Sequence, residues 1–365
     1  MAECKLLDFN LDKSCWLIIG NKKFKNKINN EVMTNPIMFC QKQMRLSESE
    51  KYLGDYMCTS LSESVFVTVQ RRKGLAMRLI SELKVTIEDV RINTVGGLTA
   101  GLEIWKLAIV PFLYNNSETW VAIPKKALNV LESIQNAFFV SLFGTSRGCP
   151  IPIFYWDTGL LTVENFIIQK KLLFYHHLLT LNDDTLAKEV LLLQEENELP
   201  GLVLECKEHL SQLDITSDPR CYSKLLWTRI IKYNIHKFNR SQLLDRIKTY
   251  KKLSFEQFVT EEYGLQSYIK NMNIRDGRTF FAHRAQMVRT VQMNFKHMYA
   301  ANSNKCICGE FDHQVHLTSC PSYAHLRDGL DVLGSDLDLV RYYQLVIRER
   351  VQAEEREEQK QRNRD

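Results

Sequence analysis

A segment rich in apolar residues, from Leu161 to Leu181, constrains the fold more than any other part of the sequence. A helix drawn through it is apolar on almost every side apart from its charges, and such a helix belongs inside a core. Glu164, Lys170 and Lys171 keep the uninterrupted apolar run well short of the length that a membrane-spanning helix needs. The segment therefore predicts a buried helix in a mainly α-helical protein.

Apolar residues recur at helical spacing over much of the chain after residue 70. A helix that begins near Arg71 is predicted from residues four apart, namely Leu75, Leu79, Leu83 and Ile87. Pro124 is expected to open a second helix, because proline is favoured in the first turn. Further helices are predicted over residues 224–238, 241–253 and 278–299. A last one begins near Ser335, with Asp338 as its capping partner, and ends in a charged, solvated tail.

The first seventy residues follow a different pattern. Residues 15–19 and 51–57 form short stretches, and residues 64–69 are rich in β-branched and aromatic side chains, so we expect a small strand-containing unit. No clear breaker separates residues 64–69 from the helix predicted near Arg71, which leaves the end of that unit open.

The N-terminus and the cysteine usage favour an intracellular protein, in the nucleus or the cytoplasm, and not a secreted one. Acidic residues precede a very short apolar run at the N-terminus, which is not the pattern of a secretory signal. In a reducing compartment, the cysteines outside residues 306–320 are expected to be buried thiols rather than disulfide partners.

The formal net charge of +5 hides a strong asymmetry. Residues 181–219 contain ten Asp or Glu against two Lys or Arg, whereas residues 220–305 contain seventeen Lys or Arg against five Asp or Glu. Such an excess of positive charge is typical of a surface that binds a polyanion, although a solvated helix face in an ion-rich protein has the same composition.

Three cysteines and two histidines lie within the cysteine box, the fifteen residues CICGEFDHQVHLTSC from position 306 to position 320. Zinc prefers four tetrahedral thiolate and imidazole ligands. Such a set, with the spacing C-x-C-x7-H-x3-C, is formed by Cys306, Cys308, His316 and Cys320. One helical turn places His316 and Cys320 on the same face, and Gly309 makes feasible the turn that brings the first two cysteines together. We therefore predict a structural zinc site.

Two alternatives to this site stay open. His313 is a competing ligand, and a two-residue spacer between the first cysteines is commoner than the single residue found here. The cluster is also compatible with a metal-free box or a chance grouping of these residues.

Positive charges and aromatic side chains alternate directly upstream of the cysteine box. The cations that we expect to hold phosphates are Arg275, Arg278, Arg284, Arg289, Lys296 and Lys305. Cations with stacking aromatics suit single-stranded or hybrid nucleic acid. For Phe280, Phe281 and Phe295, however, a place in the core of a helix with a basic outer face is the favoured interpretation.

A resemblance to a known family extends over nearly the whole chain, from about residue 6 to residue 330. From residue 280 the sequence reads FFAHRAQMVRTVQMNFKHMYAANSNKCICGEFDHQVHLTSCP. This stretch resembles the C-terminal region of reverse transcriptases from non-LTR (LINE-type) retrotransposons, where a basic R-x-x-M-x-x-V-x-x-N-F-K run leads into a Cys-Cys-His-Cys zinc knuckle. Upstream, residues 115–181 are similar to the helical segment after the palm, KYLGDYM at 51–57 resembles the strand between palm and thumb, and FNLDKS at 9–14 resembles the element before it.

The resemblance implies four consecutive segments. These are a palm-edge remnant (1–70), a helical thumb and connection region (71–219), a basic helical module with the zinc knuckle (220–334) and a charged C-terminal helix (335–365). It also implies zinc as a structural cofactor, with Cys306 as the least secure ligand, because the usual spacing of the family is one residue longer.

The catalytic aspartates of that family precede the element that FNLDKS resembles, and nine residues precede Asn10. We therefore expect a nucleic-acid-binding fragment without polymerase activity. It should bind RNA or DNA independently of sequence, and neither a membrane nor a small-molecule substrate. The alternatives are a helical protein-interaction scaffold or a structurally orphaned fragment without nucleic-acid function, and an upstream continuation of the chain that restores the palm.

Other residues that could suggest catalysis receive ordinary explanations. Lys13 is expected on the surface, and Tyr52, Leu53 and Gly54 are expected to serve packing. His176 and His177 are adjacent and cannot share one helix face, so a core or boundary position is expected. The acidic pair at residues 183–184 is expected in a solvated turn.

Overall fold

The computed structural model describes residues 15–19, 26–28, 30–32, 35, 38–39, 42–89, 94–146, 148–250, 253, 255–288 and 305–362. Over these residues the protein is mainly α-helical with small sheets, which confirms the predicted fold class at that level. Within the same ranges, no helix combines the length and the hydropathy that crossing a bilayer requires.

The strands and helices have the following bounds. The strands are β1 (Cys15–Leu17), β2 (Met38–Phe39), β3 (Lys42–Gln43), β4 (Arg45–Ser47), β5 (Ser49–Tyr52) and β6 (Asp55–Cys58). The helices are α1 (Leu61–Asp89), α2 (Gly97–Ile104), α3 (Val110–Leu113), α4 (Lys125–Phe143), α5 (Ile151–Thr158), α6 (Val163–Leu179), α7 (Leu186–Glu196), α8 (Leu202–Gln212), α9 (Lys224–Lys248), α10 (Phe255–Thr260), α11 (Ser267–Asn271), α12 (Ile274–Arg284), α13 (Gln314–Ser319) and α14 (Asp336–Arg362). A π-helical turn, Trp105–Ile109, joins α2 to α3.

The chain divides into two compact units. Unit 1 comprises Met1–Arg78, Ala108–Gln135 and Thr162–Phe238, and unit 2 comprises Leu79–Leu107, Asn136–Leu161 and Asn239–Asp365. Each unit is assembled from three separate stretches of sequence. The four consecutive segments implied by the resemblance stay a prediction.

The described strands belong to unit 1 and form two-stranded pairs. β1 runs parallel to β4, β2 pairs with β3, and β5 and β6 form a hairpin. Leu53 and Gly54 make the hairpin turn, with φ of +47° and +91°. Tyr52 and Leu53 are exposed at this turn, so the packing role expected for them is wrong.

Residues 64–69 are helical, because α1 begins at Leu61 and not near Arg71. The Ser64 hydroxyl donates to the Ser60 carbonyl at 2.9 Å, which satisfies a polar group in the first turn. Val65 and Val69 are buried one helical turn apart. Burial on one helix face therefore outweighs the β preference of these residue types.

α6 lies in the core of unit 1, as its apolar composition predicts. On α9, the Trp227 Nε1 donates to the Leu172 carbonyl at 3.1 Å, and the Trp227 ring stacks on His176 with 5.6 Å between ring centroids. The His176 Nε2 lies 3.0 Å from the Tyr222 carbonyl oxygen. These contacts confirm His176 as a core histidine. α9 is one continuous helix where two were predicted.

An aromatic cluster forms part of the core of unit 2. The Phe281 ring centroid of α12 lies 4.3 Å from that of Phe143 and 4.9 Å from that of Phe154. Phe280 is buried as well. Both predicted core positions on α12 are thus confirmed.

α14 begins at the predicted cap, since the Ser335 Oγ accepts from the Asp338 backbone N–H at 3.3 Å. The Asp338 carboxylate accepts from the Asp331 N–H instead of returning a bond to Ser335, so the cap is one-way. Tyr342 and Val346 are buried. The first half of α14 therefore belongs to the core of unit 2.

Candidate metal centre

A tight turn begins the cysteine box. The Cys306 N–H donates to the Glu310 carbonyl and the Gly309 N–H donates to the Cys306 carbonyl, both at 2.8 Å. Gly309 adopts φ of +93°, a conformation that glycine reaches at little cost. This turn brings the Cys306 and Cys308 thiols to the same side, as the ligand prediction requires.

The other two candidate ligands are His316 on α13 and Cys320, the residue that follows this helix. His313 precedes this helix as its N-cap, and its Nδ1 accepts from the His316 backbone N–H at 3.0 Å. His316 and Cys320 follow one helical turn apart. The structure therefore gives His313 a capping role and places His316 in the cluster.

The four ligand atoms of Cys306, Cys308, His316 and Cys320 lie within 4.8 Å of one another. The Cys306 and Cys320 sulfurs are 3.5 Å apart, and the Cys308 sulfur lies 3.1 Å from the His316 Nε2. In a tetrahedral zinc site with typical bond lengths, neighbouring ligand atoms are roughly 3.5–3.8 Å apart. The cluster can therefore hold a metal ion, and its donor set is compatible with zinc.

The first two thiols of the cluster differ in pKa. A hydrogen bond from the Glu310 backbone N–H lowers the pKa of the Cys308 thiol. Burial raises the pKa of the Cys306 thiol to about 11, against the effect of the Cys308 backbone N–H. A metal ion binds thiolate and displaces the thiol proton, so binding at this cluster should weaken as the pH falls.

Arg350 of α14 forms a second layer behind the cluster. Its two terminal nitrogens each donate to the Asp312 carboxylate at 2.8 Å, and its Nε donates to the Tyr323 hydroxyl at 2.9 Å. The Arg350 Nη2 also lies 3.8 Å from the Cys306 sulfur. Burial lowers the pKa of the Arg350 guanidinium, but the hydrogen bonds and the negative charge of Asp312 raise it by more. The pKa therefore lies above its usual range.

A small hydrophobic cluster supports α13 and the end of the box. Leu317 and Cys320 pack with Tyr342 and Val346 of α14. The Tyr342 hydroxyl donates to the Leu317 carbonyl, and the Arg327 Nη1 donates to the Cys320 carbonyl at 3.0 Å. The candidate ligands therefore lie in a segment that packs against a hydrophobic cluster, and not in an isolated loop.

The cations predicted to contact phosphate lie in different environments. Arg275 on α12 and Lys305 before the box are exposed and keep that predicted role. Arg289 and Lys296 lie outside the described residues, as do the aromatic positions Phe295 and Tyr299.

Arg278 caps the C-terminal end of α4. Its Nε donates to the Leu142 carbonyl at 2.9 Å and its Nη2 to the Ser141 carbonyl at 3.1 Å. The side chain is half-buried. Two of its nitrogens are thus engaged in holding a helix end, where a positive charge also complements the helix dipole.

Arg284 is buried and does not belong to a phosphate-binding surface. Its Nε and Nη2 donate to Asp157 at 2.8 and 2.9 Å, and its Nη1 and Nη2 donate to Glu261 at 2.9 and 2.6 Å. The Tyr268 hydroxyl also donates to Asp157, at 2.8 Å. The predicted phosphate contact of Arg284 is wrong, because the buried Asp157 and the half-buried Glu261 already occupy its guanidinium.

The acidic pair Asp183 and Asp184 forms no site of its own. Both residues are exposed, and the Asp183 carboxylate lies 2.6 Å from the Lys188 ammonium. The hydrogen bond from Lys188 lowers the pKa of Asp183. This arrangement confirms a solvated turn.

Asp312 and Arg350 are the site residues that the sequence analysis missed. Asp312 lies inside the cysteine box, but a single carboxylate there does not fit the thiolate and imidazole pattern that predicts the ligands. Arg350 lies in the last predicted helix, ahead of the tail (353–365) that was expected to be solvated, and Tyr343, Val346 and Arg350 follow at helical spacing on one face. That spacing would have indicated that the buried face of α14 reaches Arg350.

Comparisons with known proteins found no relative of the chain. No protein-family model, no curated protein and no solved structure matches it.

Proposed function

We propose that the protein binds zinc through Cys306, Cys308, His316 and Cys320 and binds RNA or DNA through positively charged surface residues. The proposal includes kinship with the C-terminal part of non-LTR retrotransposon reverse transcriptases. The observation that carries it is the convergence of four ligand atoms within 4.8 Å. We propose no polymerase step, because the sequence has no Tyr-x-Asp-Asp turn, the motif that supplies catalytic aspartates in that family.

Zinc is the ion that best suits these ligands. Three sulfurs and one imidazole nitrogen favour a borderline-soft ion with tetrahedral geometry, and all four positions are filled by protein. Zinc bound there would stabilise the fold of the box and would carry out no reaction, since a closed site leaves no position for substrate.

Nucleic acid is supported by the charge distribution. Residues 220–305 carry seventeen Lys or Arg against five Asp or Glu, and the exposed cations include Arg275 and also Lys305, which directly precedes Cys306. Contacts to phosphate carry no sequence information, so we expect weak, salt-sensitive binding of many sequences.

Two measurements on the full chain test this proposal. The zinc content of freshly purified protein should be close to one ion per chain. Fluorescence anisotropy with labelled 20-nucleotide RNA and DNA should show binding at low salt. The logarithm of the affinity should fall linearly with the logarithm of the salt concentration. A double variant, Arg275→Gln/Lys305→Gln, should make that salt dependence shallower.

The matched control for that variant is Lys73→Gln/Lys51→Gln, which removes two exposed positive charges in unit 1. It should bind as the wild type does. Protein without zinc that is as stable as the zinc-bound form would refute the metal part of the proposal. Binding that is absent at low salt, or does not respond to salt, would refute the nucleic-acid part.

A second candidate function is a protein-interaction scaffold, and the surface of α7 favours it. Leu186, Val190 and Leu193 follow one helix face and are 74%, 44% and 48% exposed. Exposed apolar patches of this kind mark association surfaces. A wild-type chain that self-associates in light scattering, with Leu186→Gln/Leu193→Gln restoring a monomer, would support the scaffold.

A further inference from the structure

We propose that the exposed face of α9 in unit 1 binds single-stranded nucleic acid, with Tyr233 as a base-stacking residue among Arg229, Lys232 and Lys237. None of these residues is among the cations that the sequence pattern upstream of the cysteine box predicts to contact phosphate. The inference rests on the proposed nucleic-acid function and adds where the strand binds and which form of it is preferred.

The buried stripe of α9 defines which face points outward. Trp227, Ile231 and Ile235 follow one another at intervals of four residues and are each 0% exposed. Arg229 and Tyr233 lie on the opposite side of the helix, because each residue turns the helix by roughly 100°. All side chains of the proposed surface are exposed.

The cations of this surface are not neutralised by neighbouring acids. Asp245 is the first carboxylate of α9, so residues 224–244 contain no acidic residue at all. Across the described ranges, no ion pair involves Arg229, Lys232 or Lys237. In other parts of unit 1, by contrast, exposed cations such as Lys207 and Arg220 both pair with Glu195.

Tyr233 determines which polyanion fits this surface. Its side chain is 70% exposed and takes part in no hydrogen bond or ring contact among the described residues. An exposed aromatic ring flanked by cations provides a stacking surface for a base and charges for the phosphates on either side. A duplex hides the faces of its bases, so the ring favours a single strand.

The length of the surface suits a few nucleotides. Arg229 and Lys237 are separated by roughly 12 Å along the helix axis at a rise of about 1.5 Å per residue. Stacked nucleotides of one strand are spaced by about 3.4 Å, so roughly three to four of them span this distance. The central position of Tyr233 places the stacked base between the two outer phosphate contacts.

The binding of full-length protein to labelled oligo(U) and to a duplex of equal length tests the proposal. Tyr233→Ala should weaken oligo(U) binding roughly fivefold or more, which is the range for loss of one base stack. Tyr233→Phe keeps the ring and should bind as the wild type does. Neither variant should change duplex binding by more than about twofold.

Charge removal gives an independent readout. Lys232→Gln/Lys237→Gln should reduce the slope of log affinity against log salt by roughly 1.4, since each single-strand phosphate contact contributes about 0.7. The matched control is Lys51→Gln/Lys73→Gln, which should leave the slope unchanged. Circular dichroism and thermal unfolding verify that each variant is folded.

The outcomes separate this inference from the broader function. Wild-type binding that Tyr233→Ala and Lys232→Gln/Lys237→Gln leave unchanged overturns the α9 surface and leaves the broader proposal standing. Absence of any wild-type binding at low salt overturns both.

Two further arms test other partners for the same charges. If Tyr233→Ala and Lys232→Gln/Lys237→Gln lose as much affinity for polyglutamate as for oligo(U), the ligand class is an acidic protein surface. Binding to anionic lipid vesicles that also requires the exposed Leu226, as tested with Leu226→Gln, would identify a membrane surface. Either result overturns nucleic acid as the occupant.

Discussion

Arg350 and Asp312 lie 38 residues apart in sequence and form a bidentate ion pair, with both nitrogen–oxygen distances at 2.8 Å. The same guanidinium lies 3.8 Å from the sulfur of Cys306. A site with three thiolates and one zinc ion carries a net negative charge, which a nearby guanidinium stabilises. The position of Cys306, the first candidate ligand, is thus linked to a residue of the last helix.

We expect Arg350→Gln to weaken both folding and zinc binding. It removes the ion pair between Arg350 and the buried Asp312 carboxylate, a change that typically costs about 3–5 kcal/mol in the free energy of unfolding. Loss of support behind a ligand typically lowers metal affinity about tenfold or more. Chemical denaturation and competition with a chromogenic zinc chelator measure the two effects.

Arg348→Gln is the matched control for that substitution, because Arg348 is an exposed arginine two residues away on the same helix. It should change neither quantity by more than about 0.5 kcal/mol. Equal effects of the two variants would show that Arg350 acts only through net charge.

Removal of the proposed zinc ion should destabilise unit 2. Chelation is expected to lower the melting temperature and to reduce the helix signal from α13, because a closed zinc site contributes folding free energy directly. Cys320→Ser should behave like the chelated protein, whereas Cys221→Ser, at an exposed free cysteine, should respond to chelator as the wild type does. An unchanged melting temperature after complete chelation would contradict this prediction.

The buried pair of Arg284 and Asp157 should show strong coupling. Asp157→Asn removes the carboxylate charge that faces the guanidinium, and we expect a loss of about 3 kcal/mol in the free energy of unfolding. Arg284→Met should cost a similar amount, and the double variant should cost clearly less than the sum. Arg275→Met, at an exposed position of the same helix, should be nearly neutral in urea denaturation. Additive losses would show that the two side chains act independently.

Acid should destabilise the protein partly through His283. Burial, together with the charge of Arg284, lowers the pKa of His283 to about 4 from the usual 6.5. Between these two pH values the unfolded chain binds a proton that the folded protein does not, so the free energy of unfolding falls as the pH falls from about 6.5 to about 4. The full loss is about 3 kcal/mol.

Urea denaturation of His283→Gln between pH 7 and pH 4 checks this prediction. The variant keeps all four candidate metal ligands, so any acid release of metal affects it and the wild type alike. Its stability should depend less on pH than that of the wild type. His177→Gln, at an exposed histidine, should retain the wild-type dependence. A pH dependence that is the same in all three proteins would exclude the role of His283.

The sequence was sufficient to predict the helices whose buried faces are apolar. The segment around Leu172 and the two phenylalanines of α12 are buried as predicted. The start of α1 was misplaced because Val65 and Val69 favour a strand by residue type, and only their burial on a helix face reveals the actual structure. The secondary-structure preference of a residue type carries no information about which neighbouring element covers a helix face.

The site was predictable only where its chemistry is local. The cysteines and His316 are specified by residue type and spacing within fifteen positions. His313 is a helix cap and not a candidate ligand because its ring accepts a hydrogen bond from the His316 backbone N–H. The burial of Arg284 depends on Asp157, 127 residues away. Contacts over such distances do not leave a pattern in a single sequence.

The position of Arg350 has a consequence for dissecting the protein. A fragment that stops soon after Cys320 contains every candidate ligand but lacks the helix that holds the box from behind. Such a fragment would have the composition of a metal site without its architecture, and its weak zinc binding would say little about the intact chain. The smallest piece worth isolating therefore extends beyond Arg350.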